Sequence, residues 1–141
     1  MAKISTNIIR DGITLALRAE YPEAHIEADK VKQGLRPPAF IVRLVDSSQT
    51  ARGPNRWRRE PRFDIRYFPQ AGEKDCLAVA DELYRVLEVI DLPGGDKLRG
   101  VDMTHEVVDD VLHFLVSYKH FVYREADEPT MEDLELIQGG N

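Results

Sequence analysis

The segment from Pro37 to Pro69, PPAFIVRLVDSSQTARGPNRWRREPRFDIRYFP, constrains the fold more than any other part of the chain. Both of its ends alternate with a period of two. In the first, Phe40, Val42 and Leu44 alternate with Ile41, Arg43 and Val45. In the second, Phe63, Ile65 and Tyr67 alternate with Arg62, Asp64 and Arg66. Alternation in β-branched and aromatic residues marks strands with one strongly buried face. The residues between them are too polar to bury, so Gln49 to Glu60 is expected to be a mobile loop joining two strands. Arg52 to Arg66 holds six arginines, at 52, 56, 58, 59, 62 and 66, against Glu60 and Asp64. A long hairpin with its positive charge at the far end is made to meet something outside its own monomer.

Flanking segments supply the rest of a single core. The chain has 141 residues, the length of one domain, and 43% of them are hydrophobic, enough for one core. Residues 5–20 read as a helix with Ser5 or Thr6 as cap, and Ile9, Ile13, Ala16 and Leu17 form its apolar stripe. Gly12 interrupts that helix, either at a close packing contact or merely tolerated, and Pro22 ends it. A short strand is expected around His25 to Asp29, then a turn over 30–38 containing Gly34 and the double proline. A second helix is expected over about 73–90, with Cys76, Ala80, Leu83, Leu87 and Ile90 inward and Pro93-Gly94-Gly95 as its stop. Cys76 on that stripe reads as a small buried hydrophobe. The last unit is a hairpin of Leu98 to Val108 and Val111 to Tyr123, with Asp109-Asp110 as a two-residue turn or part of a slightly longer loop. Leu112, Phe114, Val116 and Tyr118 line one face of its second strand. The order helix, strands, helix, strands predicts an α+β fold: an antiparallel sheet with two helices packed on one face and a projecting basic β-hairpin.

Charge is unevenly placed. Of 25 acidic residues, six fall in 125–141, which has no Lys or Arg; the rest of the chain carries 19 acids against 19 bases. Residues 1–124 are expected to form the folded domain and 125–141 an acidic, flexible tail, so that a basic hairpin and an acidic tail make a dipolar monomer able to complement a copy of itself. A single cysteine excludes an internal disulfide framework and a multi-cysteine metal site. No leader and no membrane-spanning apolar run is read from the sequence.

Motifs for chemistry are missing. Neither a phosphate-binding P-loop nor a dinucleotide-binding glycine turn is present, and His25, His105, His113 and His120 form no metal-binding pair on a helix. No catalytic residue, cofactor or metal is expected. Arg52, Arg56, Trp57, Arg58, Arg59 and Arg62 are the candidate contact residues. Three readings fit them: a solvated loop whose charge discourages edge-to-edge pairing, a nucleic-acid site combining stacking with phosphate contacts, or a protein interface rich in hot-spot residue types. The neutral body and acidic tail argue against a dedicated nucleic-acid binder, whose domain is usually basic overall.

Three blocks of the chain resemble the tail terminator, or tail completion, proteins of tailed phages and prophages. They are KQGLRPPAFIVRL (32–44), RWRREPRFDIRYFP (56–69) and LRGVDMTHEVVDDVLHFLVSYKHFV (98–122), with the helix containing DELYRVLEVI joining the last two. The resemblance spans most of residues 5–123; Asp110 departs from an Asp-Gly turn, and the segment after Arg124 has no counterpart. It implies a non-enzymatic structural protein of the virion tail, made in the bacterial cytoplasm. It further implies a homo-oligomeric ring, commonly of six subunits, that ends tail-tube polymerisation and contacts the tail-tube protein and the head-tail connector.

Overall fold

The structure is a computed structural model that describes residues 4–27 and 35–124. The end of the expected strand at 25–29, most of the turn at 30–38 and the acidic segment 125–141 lie outside the described residues. In chain order the elements are α1 (Thr6–Glu20), β1 (His25–Glu27), β2 (Ala39–Ala51), β3 (Arg56–Phe68), α2 (Glu73–Val86), β4 (Val89–Asp91), β5 (Lys97–Arg99), β6 (Val101–Val108), β7 (Val111–Ser117) and β8 (His120–Tyr123).

Helix α1 starts where Ser5 Oγ accepts from the Ile8 amide at 3.2 Å, satisfying a first-turn donor that has no partner inside the helix. It ends at Tyr21, whose amide returns to Leu17 O at 2.7 Å, just before Pro22. Ile9, Ile13 and Leu17 are fully buried, and Ala16 packs beside them half-buried. Gly12 marks a close approach: a Cβ there would lie 2.8 Å from Leu92 Cδ2 and 3.1 Å from the Asp91 carbonyl. The glycine lets α1 rest directly on the β4 backbone.

The main sheet has the order β1-β2-β3-β7-β6, with β8 also paired to β3. All neighbours are antiparallel except β1, which joins β2 in parallel, so the sheet is mixed at that edge. Phe40 and Val42 of β2, Phe63, Ile65 and Tyr67 of β3, and Leu112, Phe114 and Val116 of β7 form the buried sheet surface. The two helices cover this one face, with Cys76, Val79, Ala80 and Leu83 of α2 meeting Ile9, Ile13 and Leu17 of α1 in the same core. The Cys76 thiol is fully buried there, and desolvation raises its pKa.

Four expectations are corrected by the structure. First, the loop is shorter than Gln49 to Glu60: pairing continues from Ser48↔Glu60 through Ala51↔Trp57, so only 52–55 form the turn and the other polar residues belong to two long strands. Polarity argued against burial, and these residues are indeed not buried, but an exposed ribbon satisfies its backbone without burying side chains.

Second, α2 stops at Val86 with Leu87 as its cap, and Val89–Asp91 is a strand paired with β5. Leu87 and Ile90 are still buried, as their spacing requires, and Pro93-Gly94-Gly95 turns between β4 and β5 instead of ending a helix.

Third, the strand expected over 98–108 breaks at Gly100, where a Cβ would lie 2.5 Å from Leu87 O and 2.8 Å from Val116 Cγ2.

Fourth, the strand expected over 111–123 divides into β7 and β8. The register against β3 is unbroken across the gap, from Arg62↔Ser117 to Arg59↔His120. The residues facing the gap are Glu60 and Pro61, and Pro61 lies opposite Tyr118. Its carbonyl accepts from the Tyr118 amide at 3.1 Å, but it has no N–H to return. The Tyr118 carbonyl instead accepts from His120 Nδ1 at 3.1 Å. The Asp109-Asp110 turn, by contrast, is the tight two-residue form: Val108 pairs with Val111, and the two aspartates have φ of 51° and 60°.

Tyr118 anchors this break to the opposite layer, its buried hydroxyl donating to Leu87 O at 2.7 Å. Tyr118→Phe removes that donor from the Leu87 carbonyl and is expected to cost about 1–3 kcal/mol. An unchanged urea midpoint would refute this role. Gly12→Val is expected to destabilise by about 1–3 kcal/mol through overpacking against β4. Equal or greater stability in the same titration would show that α1 has room to move.

Candidate functional site

The β2–β3 ribbon carries the candidate residues. A bulge at Val45 shifts the register from Leu44↔Phe63 to Asp46↔Arg62, after which the strands pair regularly to the turn. There Arg52 N donates to Arg56 O at 2.8 Å and Gly53 takes a φ of 128°. On its other side β3 is flanked by β8, while β2 beyond Ile41 has no partner on its outer edge among the described strands. Side chains alternate across β3. Arg56, Arg58, Glu60, Arg62, Asp64 and Arg66 therefore share the face opposite Phe63, Ile65 and Tyr67, the face without helices. Trp57 and Arg59 lie on the other face and Arg52 lies in the turn. The six candidates are thus distributed over three places along one ribbon.

Each arginine has a local partner. Arg52 Nη1 donates to the Ala51 carbonyl at 3.2 Å. Arg56 donates from Nε to Arg52 O at 3.1 Å and stacks its guanidinium 4.7 Å from the centre of the Phe121 ring. Arg58 pairs with Glu60 at 3.2 Å, and Arg59 donates twice to Gln49 Oε1, at 3.0 and 2.7 Å. Arg62 differs: its Nη1 bonds both Asp102 O and Ser117 Oγ at 3.0 Å, bracing β3 against β6 and β7. Further along the same face Asp64 Oδ2 meets Arg66 Nε at 3.1 Å and His113 Nδ1 at 3.2 Å, another tie between β3 and β7.

Magnitudes separate these roles. An exposed ion pair contributes about 0–1 kcal/mol and an exposed cation–π contact about 0.5–1 kcal/mol. Such contacts orient Arg56, Arg58 and Arg59 without committing them, since a desolvated interface contact is worth about 2 kcal/mol or more. Arg62 is committed to the body.

Two exposed aromatic residues beside the arginines escaped the sequence reading. Phe121 and Tyr123 of β8 are 44% and 58% exposed and stand on the helix-free face beside Arg56 and Arg58. Arg124, next in the chain, places its guanidinium 5.2 Å from the centre of the Trp57 ring. The available signal was two aromatics spaced by two at the end of a strand, but without the β3–β8 register nothing joined them to the arginines. Together these side chains make an aromatic and guanidinium surface around the hairpin end, the composition of a protein contact.

Beneath the ribbon His120 is buried, and its pKa is lowered by desolvation, with the Arg59 charge acting the same way. A carbonyl only accepts, so the contact to Tyr118 O places the ring proton on Nδ1 and leaves Nε2 a buried acceptor without a partner. The folded state thus resists a second proton that the unfolded chain takes up near pH 6.5. Stability is expected to fall as pH drops below that value, and His120→Gln should flatten the slope. Parallel pH profiles of wild type and variant would contradict this.

Among the described residues no group of three or more His, Cys, Asp or Glu is arranged to hold a metal ion, and no helix is long and apolar enough to cross a membrane. The fold is that of a small α+β protein with two helices on one face of a mixed sheet. The chain belongs to the phage tail terminator family: the family's description, phage tail terminator protein, applies to a match over residues 8–130. It is a structural protein of the virion tail and not an enzyme.

The fold is similar to that of a chain in the solved virion of a native gene transfer agent particle. That chain is 17% identical, with 85% of this chain and 100% of that one covered at a TM-score of 0.55. Another solved chain is 16% identical, with 89% of this chain and 99% of that one covered at a TM-score of 0.43. No curated protein matches the chain.

Proposed function

We propose that the chain ends tail-tube polymerisation as a closed ring, commonly of six copies, at the head-proximal end of the tail. There it touches the tail-tube protein on one side and the head-tail connector on the other. In this reading residues 1–124 form the ring-building unit and 125–141 an acidic appendage. The observation that carries the reading, beside family membership, is the exposed β2–β3–β8 ribbon end. Arg52, Arg56, Trp57, Arg58 and Arg59 stand there with Phe121 and Tyr123, held only by weak surface contacts. Ring closure needs a heterologous contact, in which one patch meets a different patch on the next copy. A ribbon that leaves the body at one end of the molecule supplies one such patch.

Changing Arg56, Arg58 and Arg59 together to Glu is expected to abolish ring formation and tail completion while leaving the circular dichroism spectrum and melting temperature near wild type. The partners lost are exposed ones, so the fold should survive. Particles completed at normal tail length with this variant would remove the ribbon from the proposal. DNA affinity that falls steeply with salt, and disappears in the variant, would point to phosphate binding instead.

A further inference from the structure

At the end of the molecule opposite the hairpin turn lies a cavity of about 260 Å³. It opens between the end of α1, the start of α2 and the near ends of β2 and β3. Its lining includes Tyr21, Glu23, Tyr67, Asp75 and Glu82. Behind the recess the fully buried Phe40 ring packs against both lining tyrosines, 5.0 Å from Tyr21 and 4.8 Å from Tyr67 between ring centres. The Tyr21 hydroxyl donates to Glu82 Oε2 at 3.0 Å, and the Tyr67 hydroxyl donates to Asp75 Oδ2 at 2.8 Å. Burial first, and then these carboxylates, raise both tyrosine pKa values far above the usual phenol range, so the hydroxyls remain donors.

Among the described residues the lining includes no Lys or Arg. Arg85, whose charge is felt at Tyr21, is held by Glu20 at 2.6 Å. Glu23 is exposed and has no partner among the described residues. The result is a recess with two aromatic rings and three carboxylates, of which Glu82 accepts from Tyr21, Asp75 accepts from Tyr67 and from the Gln70 amide at 3.2 Å, and Glu23 is the exposed one. It suits a planar cation with several donors, which is a guanidinium.

We propose that this recess receives the Arg52 guanidinium of a neighbouring copy of the chain. Arg56, Arg58 and Arg59 lie along β3 beside Phe121, Glu60 and Gln49, behind the turn. Arg52, at the tip, holds only the carbonyl of the residue before it. It cannot reach the recess of its own chain. The two sites lie at opposite ends of strands of 13 residues, a span of about 40 Å at the rise of an extended chain. Tip-to-recess pairing is therefore intermolecular and head-to-tail, the arrangement that closes into a ring. The inference rests on the ring reading above and gives that ring a second patch.

The test uses the full chain mixed with tail tubes assembled from the tube protein of the same tail. Rings are scored by electron microscopy and association by sedimentation. Arg52→Glu and Glu23→Arg are both exposed changes, and circular dichroism checks that each variant is folded. Each alone sets like charges against each other and is expected to weaken ring association at least about tenfold. The double variant, or an equal mixture of the two single variants, restores opposite charges and is expected to recover rings. If wild type rings form and Arg52→Glu forms them equally well, the pairing is wrong. If both single variants fail and neither the double variant nor the mixture recovers, Arg52 acts elsewhere and the pairing is wrong. If wild type itself caps no tubes and forms no rings, the ring reading falls, independently of this contact.

Discussion

Two-sided pairing of β3 is the constraint on which the remainder of the structure depends. Along nearly its whole length β3 is bonded to β2 on one side and to β7, then β8, on the other. A strand bonded on both edges has no freedom to rotate, so its alternation assigns every side chain to one face or the other. Phe63, Ile65 and Tyr67 go into the core, and the arginines of the opposite parity go to the face without helices. The same ladder carries the backbone past the core. Hydrophobic burial holds the inner half of β3, and backbone hydrogen bonds hold the outer half as a ribbon whose side chains remain available.

Pro61 stands at the boundary between these halves. It is the residue of β3 that cannot donate, and its missing N–H is registered on the opposite strand as the gap between β7 and β8. The unclaimed Tyr118 carbonyl captures His120 Nδ1, which buries an imidazole with its other nitrogen unpartnered. Tyr118 meanwhile reaches across to Leu87 and links the break to the end of α2. One proline thus sets where the rigid body ends and the ribbon begins.

The chemistry of the two ends follows from this geometry. At the tip, guanidinium groups are oriented by exposed contacts that contribute little each. At the other end, tyrosine hydroxyls and carboxylates surround a recess, with burial keeping the phenols protonated. Opposite polarity at the two ends of one ribbon suits the proposed head-to-tail association of copies, and family membership makes the chain a protein of the virion tail.

Much of the fold was legible in the chain itself. The α1 stripe of Ile9, Ile13 and Leu17, the alternation of Phe40 and Val42 with their neighbours, and the row Leu112, Phe114, Val116 and Tyr118 each identified a buried face, because burial imposes a period that residues reveal locally. The arginine cluster was equally visible. Local pattern could not decide where elements stop when the stopping cause lies elsewhere. The strand over 98–108 breaks at Gly100, where the backbone bonds Glu88 O and passes too close to Leu87 and Val116 for any side chain, and β8 separates from β7 where Pro61 faces the gap. Nor could it join Phe121 to Arg56, or bring Glu23, Asp75 and Glu82 around one recess with Tyr21 and Tyr67. Periodicity is a property of consecutive residues, and the sequence alone determined it. Register, crowding and the meeting of distant side chains are properties of the packed chain, so only the tertiary structure decided them.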